Sequence, residues 1–341
     1  MSRTKRIILF TIGNIDHPSS RIRGIQYIPF LEQAGYKVKW IPRIPPRPKN
    51  GFQRFLIFPL WKRGLSLLRI FHLMFSKPDY FFIQKIFIPK YLLKLAKNGY
   101  SKLIFDFDDA IYLDKNNSKA KQSTDIMINY SDDVIVSNII LANYCDKLGF
   151  KANIITTPID IHRVYPNKKE TNKTFTIGWI GSYWTTPYLK LIENALQEIA
   201  IKHKFRLLLI GADKSLNFKG VDIEHLDWSF DKEQEYLNMF DIGIMPLSPD
   251  KYSEAKGGYK LLMYMSVGIP QIASPVGINK DIVIQNETGF LANSKQEWID
   301  YITFFIENQE KLKLFGINSR KEAELKYSRE VCFQKMIQII E

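Results

Sequence analysis

The stretch KGGYKLLMYMSVGIPQIASPVG, residues 256–277, opens on a glycine pair, places a lysine just behind it, and runs through an apolar helical segment. A Gly-Ile-Pro turn then leads into a short apolar strand, residues 270–273. Such a loop–helix–turn–strand unit belongs to a parallel sheet with crossover helices. The helix start also has chemistry to offer. Backbone N–H groups at a helix N-terminus carry partial positive charge, and Lys260 adds a full one, which together suit a diphosphate without a metal ion. The plainer alternative is that Gly257 and Gly258 make a tight turn and Lys260 is a solvated helix residue.

Outward from this unit the same alternation recurs. Apolar runs at 175–180, 206–210 and 242–245, with helices over 188–203 and 258–266, predict a second domain over 175–320. Upstream, runs at 7–12, 37–41, 80–84, 102–107, 133–137 and 152–156, with a helical stretch over 21–34, predict a first domain over 1–160. The polar segment 161–174 reads as the linker, and the last helix, 321–341, is expected to pack back on the first domain. The fold class is α/β, two Rossmann-like doubly wound parallel-sheet domains facing across a cleft, with ligands at the carboxyl ends of the strands.

Composition narrows the function classes. With 45% hydrophobic and 24% charged residues, the 341-residue chain reads as folded and large enough for two cores. Its two cysteines, Cys145 and Cys332, supply neither a disulfide framework nor a zinc-ligand spacing, which points to a reducing, cytoplasmic compartment. The opening MSRTKR-IILFTIG reads as a first strand, and no run approaches the roughly 20 apolar residues of a membrane span. The net charge of +13 calls for a polyanionic partner. No nucleic-acid-binding motif accompanies it. Much of the charge lies in residues 43–77, where basic side chains interleave with bulky apolar ones. A helix there would offer Phe55, Leu56, Leu60, Leu67, Leu68, Phe71 and Phe75 as an apolar face, with Arg54, Lys62, Arg63 and Arg69 for anionic headgroups and a kink or break at Pro59. The alternative is that these apolar residues pack inside the domain.

The string KLLMYMSVGIPQIAS resembles the donor-binding segment of retaining glycosyltransferases of family 4, which have the GT-B fold. SSRIRGIQYIPFLEQAGYKV (19–38), FDFDDAIY (105–112), IGWIGSYWTTPYL (177–189) and the Pro-x-x-Asp of the linker resemble the same family in the same order, spanning nearly the whole chain. The resemblance implies retaining transfer of a sugar from a nucleotide diphospho-sugar to a glycan or lipid-linked glycan acceptor, with no cofactor beyond that co-substrate and no metal. Cell-surface polysaccharide assembly at the inner face of an anionic membrane is the implied setting. Asp108 falls near the position where many relatives place an active-site histidine, and His17 lies in the loop after the first strand; these are the candidate catalytic residues. The candidate donor-binding residues are Gly13, Asn14, Arg21, Gly181, Ser182, Glu254, Gly257, Gly258, Lys260 and Met263. Asp106 and Asp109 read as structural, and Trp179 as core.

The sequence departs from that family in a specific way. Where relatives carry a Glu-x7-Glu pair around the donor, this chain has Ala255 and Met263, neither able to accept a hydrogen bond through a carboxylate. Glu254 stands one residue from the first position. Ser182 stands where a basic residue often follows the Gly-rich turn. A catalytically weak nucleotide- or sugar-binding scaffold is the alternative these losses leave open.

Overall fold

The computed structural model describes residues 3–48, 50–167 and 174–341; residues 168–173 of the expected linker lie outside that set. Two compact units result, the first comprising 1–157, 255–257 and 333–341, the second 158–254 and 258–332.

Unit 1 is built on a six-stranded parallel sheet, β1 (Arg6–Thr11), β2 (Lys37–Pro42), β3 (Tyr80–Gln84), β4 (Lys102–Phe107), β5 (Asp133–Val136) and β6 (Asn153–Ile154), in the order β2-β1-β3-β4-β5-β6. Its helices are α1 (Pro18–Arg23), α2 (Ile28–Gln33), α3 (Gly51–Phe75), α4 (Lys90–Asn98), α5 (Ala120–Tyr130) and α6 (Ile139–Asp146). The central strands are apolar on both faces, as a sheet covered on both sides requires, and Phe10, Phe81, Phe105 and Phe107 are fully buried. The helix read over 21–34 is broken: Gly24 leaves helical geometry and Pro29 cannot donate, so α1, a 3₁₀ turn (Ile25–Tyr27) and α2 replace it. Gly24 packs closely here: a Cβ on it would lie 3.0 Å from Thr11 Cγ2, which would have to give way. The closing segment 333–341 belongs to this unit, with Phe333 packed 5.2 Å from the Phe30 ring and the Tyr80 hydroxyl donating to the Ile340 carbonyl.

Helix α3 settles one open alternative. It is capped by the Asn50 side chain, which accepts from Phe52 N at 2.9 Å, and it runs on through Pro59, which removes one intrahelical donor without ending the helix. Only His72 and Leu73 within it are buried, and Phe55, Leu56, Leu60, Leu67, Phe71 and Phe75 are exposed. The reading in which these residues pack inside the domain is therefore corrected: the helix contributes Leu73 to the core, with Leu65 and Ile70 against it, and little else.

Unit 2 repeats the architecture with β7 (Phe175–Ile180), β8 (Phe205–Ile210), β9 (Asp222–Leu226), β10 (Ile242–Met245), β11 (Gln271–Ala273) and β12 (Gly289–Leu291), all parallel, in the order β12-β11-β10-β7-β8-β9. Its helices are α7 (Glu193–Lys202), α8 (Glu233–Leu237), α9 (Lys251–Glu254), α10 (Tyr259–Ser266), α11 (Asn279–Ile282), α12 (Lys295–Glu307) and α13 (Gln309–Glu322), with α14 (Arg329–Ile340) leaving it at Cys332. Two strand glycines make room for aromatic rings: a Cβ at Gly178 would fall 2.0 Å from Phe240, and one at Gly243 would fall 2.3 Å from Tyr264. The single last helix read over 321–341 is interrupted at Ser328, whose extended backbone bridges to Ile159 while its hydroxyl accepts from Val331 N at 3.3 Å.

Candidate functional site

Strand order locates the places where chemistry can be built. In unit 1 the chain leaves β1 for β2 on one side and returns to β3 on the other; in unit 2 the reversal falls between β7 and β10. Loops at the carboxyl ends of strands flanking such a reversal diverge and open a crevice.

At the unit 1 reversal, β1 ends in Gly13 to His17. Gly13 N donates to Ser20 Oγ at 2.9 Å, its carbonyl accepts from Thr11 Oγ1 at 2.7 Å, and a Cβ on it would lie 2.5 Å from His17 Cβ. The Asn14 side chain folds the loop by accepting from Asp16 N at 2.9 Å, and Arg21 spends a donor on the Ile15 carbonyl at 2.9 Å. Arg21 thus braces the loop that carries His17. The imidazole Nδ1 is buried with no hydrogen-bond partner among the described residues. Burial, with Lys85 adding to it, holds the His17 pKa below its ordinary value, so the ring is neutral near pH 7.

The carboxylates after β4 divide cleanly. Asp106 and Arg23, both almost fully buried, form a forked pair with Nε at 3.0 and 3.1 Å from the two carboxylate oxygens, and Arg23 Nη1 also donates to the Ile155 carbonyl at 2.7 Å. This pair is structural. Asp108 instead accepts on Oδ1 from Lys85 Nζ at 2.7 Å and from Ser19 Oγ at 2.7 Å, and Ser19 is itself held by Gln84 Nε2 at 2.9 Å. Lys85 also reaches Asp109 Oδ2 at 2.6 Å. Although burial opposes ionisation of Asp108, Lys85 and Arg23 overcome it and hold the carboxyl below the usual range, so it is an acceptor and not a proton donor at neutral pH. Against the same burial, the two aspartates hold the Lys85 ammonium charged.

Lys85 is the residue that reading the sequence missed. It sits one position past β3 with a left-handed φ of 52°, its amide donating to the Asp106 carbonyl at 2.9 Å. The available signal was its place directly behind the apolar run YFFIQ, at the carboxyl end of a parallel strand. Gly257, which belongs to this unit, is required to be small: a Cβ there would fall 2.7 Å from Thr157 Oγ1 and 3.5 Å from the Asp108 carbonyl. The neighbouring Ala255 and Lys256 carbonyls accept from Asn138 Nδ2 at 3.0 and 3.3 Å, and Ala255 lies in the unit 1 apolar core.

In unit 2, β7 ends in Gly181 and Ser182. Ser182 caps the following 3₁₀ run through a reciprocal arrangement with Thr185, Ser182 N donating to Thr185 Oγ1 at 3.0 Å. The Trp179 indole is fully buried beneath this turn, so close that a Cβ on Gly181 would meet its ring at 2.2 Å. Lys260, in the first turn of α10, lies with Nζ 5.3 Å from the centre of that same ring. Trp179 is thus the floor that brings the Gly181–Ser182 turn and Lys260 to one place, while Trp184 stands exposed. Gly258 precedes α10 in the left-handed region at φ 68°, where a Cβ would also fall 2.4 Å from Ile282 Cδ1. Glu254 ends α9, its carbonyl pressed so near Gly277 that a Cβ there would come within 2.1 Å. Met263 lies in the apolar core of this unit and offers packing alone.

Among the described residues no cluster of three or more His, Cys, Asp or Glu side chains has the geometry of a metal site. A concavity of about 500 Å³ between α7 and α12, lined by Lys202, His203, Asp300 and Glu307, touches none of the residues above.

The family model described as glycosyl transferases group 1 matches residues 174–308. The matched range falls almost wholly within unit 2, which is thus similar to the glycosyl transferases group 1 domain. Gly181, Ser182, Glu254, Gly257, Gly258, Lys260 and Met263 all fall inside the matched range. No curated protein matches the chain in sequence. Among solved structures, the chain is similar to a sucrose-phosphate synthase from Thermosynechococcus elongatus (TM-score 0.75, 15% identity, 98% of each chain covered). It is also similar to HepE of Anabaena in complex with UDP and glucose (TM-score 0.70, 14% identity, 98% of this chain and 99% of that one). A third, the lipopolysaccharide outer core galactosyltransferase WaaB, gives a TM-score of 0.68 at 12% identity, with 98% and 99% covered. These likenesses show the fold: the chain has the GT-B architecture of two Rossmann-like units.

Proposed function

We propose that this chain moves a sugar, with retention of anomeric configuration, from a nucleotide diphospho-sugar to a hydroxyl of a glycan or lipid-linked glycan. The observation that carries the reading is the meeting of Lys260, the N-terminal turn of α10 and the Gly181–Ser182 turn over the Trp179 ring. Amides of a helix N-terminus and an ammonium placed together are what a diphosphate needs, and HepE, of the same fold, is described with UDP bound.

In the transfer, the bond between the anomeric carbon and the diphosphate oxygen breaks, and the diphosphate leaves with the electron pair. The acceptor oxygen forms the new bond, and its proton passes to the diphosphate. Lys260 and α10 stabilise the charge building on the leaving group, so no protein nucleophile and no metal enters the step. Asp108, ionised and held by Lys85 and Ser19, orients the acceptor hydroxyl, and the neutral His17 ring accepts a hydrogen bond beside it. The basic unit 1 and exposed α3 support an acceptor at the inner face of an anionic membrane, with the chain a peripheral cytoplasmic enzyme in polysaccharide assembly.

The scaffold reading draws on Ala255 and Met263, both buried in apolar cores where relatives of the resembled family have carboxylates. A panel of UDP-, GDP-, ADP- and dTDP-sugars, with EDTA and membrane-derived glycans, decides between them. Nucleotide release coupled to glycan product from one donor, lost in Asp108→Asn, establishes the transferase. Saturable nucleotide binding with no turnover on any acceptor fraction establishes the scaffold.

A further inference from the structure

Helix α3 is 25 residues long, about 37 Å at 1.5 Å per residue. Its final turns are fixed to unit 1: His72 and Leu73 are buried, and Arg69 Nη1 donates to the Pro42 carbonyl at 3.1 Å. Its first half is another matter. Of residues 51–64 all but Phe58 are exposed, Phe55 by 78%, Leu60 by 65% and Trp61 by 45%. At 3.6 residues per turn Phe52 and Trp61 project from opposite sides of the helix, with Phe55, Leu56, Ile57 and Leu60 filling the circumference between them. So broad an exposed apolar surface exceeds what one narrow protein groove covers, and a lipid interface can take most of it while the basic side chains stay at the headgroups.

The charge around this half is of one sign. No Asp or Glu occurs between Glu32 and Asp79, while Arg43, Arg47 and Lys49 precede the segment and Lys62 and Arg63 end it. Burial, with repulsion from Arg43 adding to it, pushes Arg69 down to about 10. Basic residues at both ends of an apolar segment exclude an end-on insertion, because either end would carry its charges into hydrocarbon. They suit a helix lying flat, with Arg54 and Lys62 reaching up to the phosphates along their apolar stems. No helix among the described residues is long and apolar enough to cross a membrane.

We propose that residues 51–64 lie in the plane of an anionic bilayer, sunk to the boundary between headgroups and acyl chains, with Arg43, Arg47, Lys62 and Arg63 on lipid phosphates. Anchoring of this kind rests on the peripheral-membrane part of the function proposed above and not on the donor, so vesicle binding and sugar transfer fail or succeed independently.

The test is sedimentation of the full chain with vesicles of phosphatidylcholine alone and of phosphatidylcholine mixed with phosphatidylglycerol. The chain is expected to pellet with the mixed vesicles and to lose more than about tenfold in affinity as Phe55→Ser/Leu60→Ser/Trp61→Ser, since each side chain loses its apolar burial in lipid. Lys62→Glu/Arg63→Glu is expected to lose about tenfold or more, and only on the anionic vesicles. On the unaltered chain, acyl-brominated lipid is expected to quench tryptophan emission, a change that Trp61→Phe removes while binding persists. All of these positions are exposed, so unchanged thermal midpoints verify folding. Failure to pellet overturns the proposal. So does pelleting that salt abolishes, that the triple serine variant keeps and that leaves Trp61 unquenched, which is headgroup attraction only. A stable dimer dissociated by the serine substitutions, with no vesicle binding, assigns the surface to a second copy instead.

Discussion

Replacing Lys85 by Met removes the cation from a site whose carboxylate stays behind. The Asp108 side chain is 13% exposed and the Lys85 side chain 7%, so the variant leaves a buried charge uncompensated. Breaking a buried pair in this way costs about 3–5 kcal/mol. Asp109 adds no more than about 1 kcal/mol, because at 36% exposure its attraction to Lys85 is screened. The pH dependence carries the sharper signature. In the unaltered chain the Asp108 pKa is depressed, so its contribution is fully present above the unfolded carboxylate value of about 3.9 and is lost as pH falls through the lower folded value. With Lys85 gone, burial pushes the same carboxyl above its ordinary value. The variant is then destabilised as pH rises from acid to neutral, and the gap closes only as pH falls below the depressed folded value of the unaltered chain. Urea unfolding followed by circular dichroism at several pH values, read on the transition of unit 1, measures the gap, and Lys85→Met/Asp108→Asn should recover part of it. A gap under about 1 kcal/mol at pH 7, or one that is constant across the pH range, refutes the reasoning.

Three further outcomes are expected. Gly258→Ala places a Cβ 2.4 Å from Ile282 Cδ1 at a left-handed φ, so a loss of about 2–4 kcal/mol in chemical unfolding is expected, with weaker nucleotide binding. Lys260→Met should weaken binding of whichever nucleotide diphosphate the donor panel identifies by about 10–100-fold in calorimetry, with Lys260→Arg retaining most of it, because a charge-assisted bond to the diphosphate is lost in the first and kept in the second. His17 should titrate by proton NMR at a midpoint below 6.5, assigned with His17→Gln, since burial and Lys85 disfavour its charged form.

Fold class was legible because ten strands announce themselves as apolar runs punctuated by glycine and proline. The two that did not are short edge strands: β9 (DIEHL) is charged and half-exposed, and β12 has three residues. Edges are kept polar or brief to avoid mispairing, which erases the pattern that reading depends on. The unit 2 site was legible in part, because a glycine pair before a helix with a lysine in its first turn is a local arrangement. The unit 1 site was not. Asp108 depends on Lys85 and Ser19, 23 and 89 positions away, and no local spacing announces such a pairing. The floor under Lys260 escaped for the same reason: Trp179 reads as an ordinary core residue of its strand, and only the packed structure shows its ring under both the Gly181 turn and the lysine.

Unit 1 draws on three separated stretches of chain, the last of them 333–341. On the ribosome its sheet is complete once residue 157 has emerged, yet Tyr27 and Phe30 wait for Phe333, roughly 180 residues later. At about 5–20 residues per second that is a delay of roughly 10–40 seconds, during which an apolar seam stays open beside an unfinished second unit. Removing residues 333–341 therefore strikes the unit made first, and a nascent chain is most exposed to aggregation and proteases in the interval before those residues emerge.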